Sequence, residues 1–187
     1  MERPDMEWLD EFRAALGREY ADAPTTCTLA TRGPDGWPRA RTMVCREIDD
    51  AGGVWFNTDA RSAKAEQLEG RPQVAACFWL PDERVQFRLM GVCRVMSPAT
   101  DPEACEASWQ GGSGRMRSLF LWPTPGAKRE ADEAFVETVS AEAPVPDSFR
   151  LLCLSPAEVD RLDLGSHPHR RKRWLASDGW RGVEVNP

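Results

Sequence analysis

The chain has 187 residues, a formal net charge of -6, a hydrophobic fraction of 41% and eight Trp, which together indicate one folded globular domain. The negative net charge disfavours a nucleic-acid partner, because nucleic-acid binding depends on a basic surface that neutralises phosphates. No apolar run reaches the roughly 18 to 20 residues of a bilayer span, and the N-terminus is acidic rather than signal-like, so we expect a cytoplasmic protein without a membrane partner.

The first half of the chain predicts one helix followed by a series of strands. Apolar residues recur at helical spacing between Trp8 and Tyr20, which predicts an amphipathic helix over about residues 5 to 20 that Pro24 ends. Five strand-like runs follow, at TCTLATR, PRARTMVCREI, GVWFNT, QVAACFWL and RVQFRLMGVCRVM. Short turns rich in Gly, Pro and Asp join three pairs of these runs and predict antiparallel pairing. Residues 62–70 predict a short helix between the third and fourth strands.

The second half predicts helices and then a return to strands. Helices are predicted at residues 101–109, 116–122 and 130–140, and strands at 149–154, 158–164, about 173–175 and 180–185. Because no βαβ unit repeats, we expect a closed or split antiparallel β-barrel and not a doubly wound sheet. The predicted organisation is a single domain over residues 1–187. It has an N-terminal helix within 1–22, a helical insertion at 99–142 and barrel-completing strands at 149–187.

The cysteines and histidines do not indicate a metal site. The six Cys are scattered singly with no C-x-x-C pair, which is typical of reduced core residues. His167 and His169 form an H-x-H pair without a visible third ligand, so we expect no metal.

Two basic groups indicate an anion site. One group lies on the second strand, and the other opens the helix about fifteen residues later; their members are Arg39, Arg41 and Arg46, then Arg61, Ser62 and Lys64. A helix N-terminus presents free N–H groups and a positive dipole end, which suits a phosphate. The alternative is that these are solvated surface charges.

Polar residues near the predicted strands extend this site. Asn57 and Thr58 end the third strand beside the helix start, where a flavin ring would find donors for its polar edge. Gln86 lies inside an apolar strand, where a buried amide needs a partner. A ligand carbonyl or ring nitrogen would serve, and so would a neighbouring backbone group.

The motifs at residues 41–47, FNTDARSAK at 56–64, VQFRLMG at 85–91 and HRRKRW at 169–174 together resemble the pyridoxamine 5'-phosphate oxidase family, over roughly residues 20 to 180. WPTPG at 122–126 is similar to an oxidase-related branch of that family rather than to the biosynthetic enzyme. The resemblance implies a mainly β fold with flanking helices, an FMN-binding split barrel with Greek-key-like strands. It also implies FMN as the cofactor and a homodimer with FMN at the subunit interface.

The resemblance also assigns residues. The implied FMN contacts are Arg41, Thr42, Met43, Val44, Asn57, Thr58, Ser62, Lys64, Gln86 and Arg173, and the implied substrate contacts are Arg46, Arg170 and Arg171. No catalytic residue is assigned. Ala63 replaces a family Arg, with Arg61 as a candidate substitute, and His169-Arg170-Arg171 replaces a late R-x-H motif. The Tyr and Arg of the mid-chain helix that hold the substrate phosphate in the family have no counterpart in register here.

We therefore expect an FMN-dependent oxidoreductase acting on a small substrate that is phosphorylated or otherwise anionic. The alternative is a non-catalytic protein that holds flavin, haem or deazaflavin. A retained cofactor site does not identify the substrate, because the cofactor carries the redox chemistry.

Overall fold

A computed structural model describes residues 6–21 and 23–187 of the chain. The helices are α1 (Glu7–Glu19), α2 (Ala63–Gly70), α3 (Pro102–Gly111) and α4 (Gly114–Ser118), with 3-10 turns at Leu119–Leu121 and Ala176–Asp178. The strands are β1 (Thr26–Arg32), β2 (Pro38–Val44), β3 (Glu47–Ile48), β4 (Val54–Asp59), β5 (Gln73–Leu80), β6 (Val85–Met96), β7 (Phe149–Asp163), β8 (Arg170–Leu175) and β9 (Val183–Val185). Residues 1–5, which include the predicted first residue of the N-terminal helix, lie outside the described residues, as does residue 22.

Within the described ranges, the strands form one curled antiparallel sheet, which confirms the predicted split barrel. The order is β2-β1-β5-β6-β7-β4-β3, and β8 and β9 continue from β7. The three predicted hairpin pairs are present as β1 with β2, β3 with β4 and β5 with β6. The sheet curls so that β2 and β4 come into contact, although no ladder of hydrogen bonds joins these two strands.

Alternation along the strands builds the main core. Leu29, Ala76, Leu89 and Val159 form one row across β1, β5, β6 and β7, and all four are fully buried. The apolar face of α1 covers this row, with the Phe12 ring 4.9 Å from that of Phe78 and 5.0 Å from that of Phe87. Side chains at the alternate positions therefore point to the outer face of the sheet.

A second apolar cluster holds α3 and α4 against the outer side of the barrel. The Trp109 ring lies 5.9 Å from that of Phe120 and 5.6 Å from that of Phe149, and all three residues are buried. Arg117 is buried here as well, and donates to backbone carbonyl oxygens of Trp109 (3.0 Å), Gly112 (2.6 Å) and Val139 (2.9 Å). This cluster fixes α3 against β7.

The predicted helix at 130–140 is wrong. Residues 122–148 follow an irregular path without a helix, so the helical part of the 99–142 segment ends at Leu121. Val139 and Val145 pack at the edge of the second cluster, whereas Phe135 and Val136 are exposed and Phe135 lies on the Trp122 ring. A helix of this length is stable mainly through an apolar face buried against a partner, and of the apolar residues predicted for this helix only Val139 packs against a core.

The two strands predicted at 149–154 and 158–164 are one strand, β7. Its first half pairs with β4 and its second half with β8, while β6 runs along both. The register shifts between Met90 and Gly91 of β6, where Ala157 is the extra, unpaired residue of β7, next to Pro156. A Cβ on Gly91 would lie 2.1 Å from the Ser155 carbonyl oxygen, so the bulge requires glycine.

The cysteines match the sequence-based prediction of unpaired thiols. All six cysteines are free thiols, and Cys27, Cys45, Cys93 and Cys105 are buried. Burial raises the pKa of the Cys45 thiol to about 11, which leaves it unreactive. In residues 6–21 and 23–187 no helix combines the length and apolar character that crossing a membrane requires.

Candidate cofactor and substrate site

The end of β4 and the start of α2 bring together three of the predicted cofactor residues. The Lys64 ammonium donates to the hydroxyl oxygens of Thr58, at 3.1 Å, and Ser62, at 3.2 Å. Thr58 and Ser62 are buried, at 4% and 7% exposure. Ser62 precedes α2 in extended conformation and makes no side-chain cap, so the first turn of the helix keeps its positive end open to an anion.

Arg41 joins this group from β2. Its guanidinium donates to the Thr31 hydroxyl oxygen (2.7 Å), the Leu29 carbonyl oxygen (3.1 Å) and the Gln67 side-chain oxygen (3.1 Å). All of these acceptors are neutral. The guanidinium is therefore held in place without losing its charge to a carboxylate.

The electrostatics of the pair favour an anionic ligand. Burial lowers the pKa of the Lys64 ammonium, and the nearby Arg41 charge lowers it further. Burial also lowers the pKa of the Arg41 guanidinium. Asp59 raises the Lys64 pKa only slightly, and its carboxylate is already bound by Arg61. Two partly buried cations that share no ion pair with a carboxylate among the described residues fit the phosphate of FMN, which would carry two negative charges into this cluster.

Arg61 does not take the place of the family Arg at Ala63. Its guanidinium binds the Asp59 carboxylate at 2.6 Å, and it also donates to the carbonyl oxygens of Phe120 (3.3 Å) and Trp122 (3.0 Å). These contacts tie the β4–α2 turn to the segment after α4. Arg39 is likewise bound to Asp35 at 2.6 Å. Of the cations in the two basic groups, only Arg41 from the first and Lys64 from the second lie close together without a carboxylate partner among the described residues.

The remaining predicted residues of β2 and β4 divide between the two faces of the sheet. Thr42 and Val44 alternate onto the outer face, whereas the Met43 side chain is buried in the core, at 7% exposure. Met43 therefore offers a ligand only its backbone. Asn57 lies on the outer face and accepts a hydrogen bond from the Ser108 hydroxyl at 3.0 Å.

A cavity of about 610 Å³ opens on this outer face, between the barrel and α3. Its lining includes Val44, Arg46, Trp55, Asn57, Ser108 and Ser113. The Arg46 backbone N–H donates to the Trp55 carbonyl oxygen at 2.8 Å, which fixes the residue at the cavity rim. Its guanidinium has no acceptor in the part of the chain that the structure describes, and partial burial lowers its pKa. Glu47 and Asp49 also line the cavity, which therefore combines two carboxylates with one guanidinium that no described residue binds.

Gln86 and Arg173 lie at the other end of the sheet. Thr58 pairs with Arg150 near the start of β7, whereas Gln86 pairs with Leu162 near its end. Arg150 and Leu162 are 12 residues apart on β7, which is roughly 40 Å of extended strand. Among the described residues, no side-chain contact joins Gln86 or Arg173 to Arg41 or Lys64.

The basic run at the end of the chain is neutralised by carboxylates. Each cation has an acidic partner: Arg170 with Glu184 at 2.8 Å, Arg171 with Asp160 at 2.7 Å, Lys172 with Glu7 at 2.6 Å, and Arg173 with Glu158 at 3.0 Å. The buried Asp160 also accepts from Arg88 at 2.8 Å. Arg170 and Arg171, predicted as substrate contacts, are thus engaged in ion pairs.

Two residues of the site are absent from the sequence-based predictions, Thr31 and Gln67. Both are buried, and both contact Arg41. A signal for Thr31 is present in the sequence, since it follows Cys27 and Leu29 on the inward face of β1. The same pattern, a polar residue among apolar residues of a strand, led to the prediction for Gln86.

Comparison with known proteins identifies the family. A family model described as pyridoxamine 5'-phosphate oxidase, FMN-binding domain, matches residues 5–97, which include Arg41, Thr58, Ser62 and Lys64. The chain is 32% identical over 188 residues to pyridoxine/pyridoxamine 5'-phosphate oxidase 2 of Arabidopsis thaliana, covering 94% of each protein. It is 31% identical over 190 residues to pyridoxine/pyridoxamine 5'-phosphate oxidase of Anaeromyxobacter dehalogenans, covering 94% of this chain and 93% of that protein.

A solved structure extends the match to three dimensions. The crystal structure of a pyridoxamine 5'-phosphate oxidase-related, FMN binding protein from Nostoc punctiforme superimposes with a TM-score of 0.88 at 32% identity, covering 96% of this chain and 97% of that one. Together with the full-length relatives, this confirms the fold and the cofactor predicted from the sequence. The chain therefore belongs to the pyridoxamine 5'-phosphate oxidase family and is an FMN-binding protein.

Proposed function

We propose that this protein is an FMN-dependent oxidoreductase that acts on a small anionic substrate. The observation that carries the proposal is the pair of cations, Arg41 and Lys64, held by neutral groups, together with a cavity lined by Arg46, whose guanidinium has no acceptor among the described residues. The first pair suits the FMN phosphate. The second site suits the anionic end of a substrate, phosphorylated or otherwise acidic.

Each residue has a role in this arrangement. Arg41 and Lys64 bind the phosphate, and Thr58 and Ser62 orient the Lys64 ammonium toward it. Thr42, the Met43 backbone, Val44 and Asn57 line the path from the phosphate group toward the cavity. FMN, when bound, supplies the two-electron redox chemistry. Arg46 would hold the substrate anion so that the reacting carbon faces the cofactor, and no side chain is assigned as an acid or a base.

We further propose that the working unit is a homodimer. Gln86 and Arg173 are predicted FMN contacts, yet they lie at the far end of β7 from Lys64. A second copy of the chain would bring its Gln86 and Arg173 to this subunit's phosphate group. Trp79 pairs with Gln86 on the outer face and is 44% exposed, which suits a surface that a partner covers.

Catalysis is tested by anaerobic reduction of the bound flavin. Purified protein loaded with FMN is mixed in turn with pyridoxamine 5'-phosphate, pyridoxine 5'-phosphate, NADH and NADPH, and the flavin absorption near its visible maximum is followed. Bleaching by one of them, reversed by admitting oxygen, supports the proposal. Retained absorption with all four would exclude the simple forms of this function.

The alternative is a protein that holds flavin, or haem or deazaflavin, without turnover. The observation in its favour is Arg117, the buried arginine of the α3–α4 region, which is used up by backbone carbonyl oxygens and is unavailable to a substrate phosphate. An absorption spectrum of the purified protein distinguishes flavin from haem. For haem the axial ligand would have to be His167 or His169, both exposed.

A further inference from the structure

Gln67 and Thr31 form a buried acceptor pair for the Arg41 guanidinium. The Thr31 hydroxyl donates to the Gln67 side-chain oxygen at 2.6 Å. The same two oxygens accept from Arg41, Thr31 from Nη1 at 2.7 Å and Gln67 from Nη2 at 3.1 Å. Thr31 and Gln67 are 4% and 8% exposed, so water does not compete for these contacts.

The geometry imitates the two oxygens of a carboxylate without the charge. Elsewhere in this chain arginines are anchored by carboxylates, as Arg61 is by Asp59 and Arg171 by Asp160. A carboxylate anchor cancels most of the arginine's attraction for a further anion. An anchor of neutral oxygens fixes the guanidinium and leaves its positive charge available.

The donor count leaves part of the guanidinium for a ligand. Arginine has five N–H donors. Both donors of Nη1 face protein oxygens, namely those of Leu29, Thr31 and Arg39, and one donor of Nη2 faces Gln67. The Nε donor and the second Nη2 donor have no acceptor among the residues that the structure describes. An Nε–Nη2 edge is one of the two that bind a phosphate in a bidentate manner.

We propose that Gln67 is a positioning residue for cofactor selection: with Thr31 it turns the Arg41 guanidinium so that its free edge faces the FMN phosphate. This inference rests on the proposed FMN site and concerns how that site recognises phosphate. It assigns Gln67 no contact with the ring or with substrate. Its effect is therefore confined to flavins that carry a phosphate and depends on Arg41 being present.

Riboflavin, which has the ring of FMN but no phosphate, provides the readout. Dissociation constants for FMN and for riboflavin are measured by flavin fluorescence with cofactor-free wild type, Gln67→Met and Arg41→Met, and with the double variant. Glu69→Met is the control, because Glu69 is an exposed residue on the same helix. We expect Gln67→Met to raise the dissociation constant of FMN about tenfold, which is the size of one charged hydrogen bond. The dissociation constant of riboflavin should stay within about twofold of the wild-type value.

The Arg41→Met background separates positioning from a general structural role. If Gln67 acts through Arg41, adding Gln67→Met to Arg41→Met leaves the FMN dissociation constant unchanged, because the two changes remove the same interaction. Equal loss of FMN and riboflavin, or full additivity in the double variant, would overturn the inference. Thr31→Val removes the other acceptor with little change in shape. It should reproduce the loss, and it provides the same test if Gln67→Met does not fold.

The two proposals fail in different ways. A wild-type protein that binds FMN and riboflavin equally would contradict the phosphate site itself. If wild type binds FMN more tightly than riboflavin and Gln67→Met keeps the same ratio of affinities, only the role of Gln67 is contradicted.

Discussion

The ammonium nitrogen of Lys64 lies 3.1 Å from the hydroxyl oxygen of Thr58 and donates to it. The contact holds the lysine at the start of α2 without neutralising it. We expect Lys64→Ala to weaken FMN binding by about 1.5 to 3 kcal/mol, the range for a charge-assisted hydrogen bond, and to leave riboflavin binding nearly unchanged. Fluorescence titration with both flavins measures this. Lys128→Ala, a change at an exposed lysine, is the matched control.

The FMN affinity should fall at alkaline pH. Burial and Arg41 lower the Lys64 pKa from 10.5 in the cofactor-free protein, and a bound phosphate favours the protonated form. FMN binding therefore takes up a proton once the pH exceeds the lowered pKa, and affinity declines from that point toward pH 10.5 and above. Titrations at successive pH values check this, with riboflavin as the control for ionisation of the ring. In Lys64→Arg the decline should move to higher pH, and an unmoved decline would contradict the assignment.

Deprotonation of Lys64 has the opposite effect on the stability of the cofactor-free protein. The folded pKa lies below the unfolded value, so the unfolded chain binds the proton more tightly. This contribution to stability therefore rises between the lowered pKa and 10.5. Urea denaturation across that window should show the free energy of unfolding of wild type increasing with pH relative to that of Lys64→Met.

Arg61 should contribute to stability and not to phosphate binding. Arg61→Met leaves the Asp59 carboxylate, which is 9% exposed, without its partner and removes two contacts to carbonyl oxygens. We expect the free energy of unfolding to fall by about 1 to 2 kcal/mol, since the pair is partly exposed. The ratio of FMN to riboflavin affinity should stay at the wild-type value. Urea denaturation with Arg115→Met as the control, and the two titrations, measure both quantities.

Mixed dimers test whether each cofactor site uses two subunits. One chain carries Lys64→Ala, and the other carries Gln86→Ala with Arg173→Ala. If the site is shared, a mixed dimer has one intact site and binds one FMN with wild-type affinity, whereas both homodimers bind weakly. Co-expression with two affinity tags gives the mixed species. Two weak sites in the mixed dimer would show that each subunit builds its site alone.

Arg46 should affect the substrate and not the cofactor. Arg46→Met removes the uncompensated cation at the cavity rim, so FMN affinity should persist while the concentration of anionic substrate needed for half-maximal flavin reduction rises about tenfold. Arg46→Lys should restore part of that loss. Pyridoxine 5'-phosphate is the first probe, read by anaerobic stopped-flow absorption. A matched loss of FMN affinity in Arg46→Met would instead place the residue at the cofactor.

The barrel was predictable because its signals are local. Alternation in β1 and β5 and turn residues between strands specify antiparallel pairs without knowledge of distant contacts. The helix predicted at 130–140 was wrong because its signal was only local. The charged, helix-forming composition gives the local preference, while a stable helix also needs a buried face, which depends on the tertiary structure. The break predicted at residues 155–156 was wrong because a proline within a strand is tolerated at a bulge, and this bulge, at Ala157, depends on the close approach of Gly91 from the neighbouring strand.

The cofactor site was predictable in residue type and less so in pairing. Lys64 and Arg41 meet as the motifs imply. Sequence alone did not show that the 170–173 run is bound to carboxylates, because Asp160, Glu158 and Glu184 reach it through sheet register. Nor did it show Gln67, whose role depends on which face of α2 points to Arg41. The Asp59–Arg61 pair is local, two residues apart, and the signal for it was present in the sequence.

The β7 strand also sets a length scale for the assembly. Its start pairs with the strand that ends in Thr58, and its far half pairs with the strand that carries Arg173. The glycine at position 91 leaves no space for a side chain and fixes how the β6–β7 ribbon bends between these ends. In a dimer built as proposed, each β7 would join a subunit's own cofactor phosphate to its neighbour's cofactor ring. A residue added to or removed from this strand would then misalign both cofactors at once, although no residue at either site had changed.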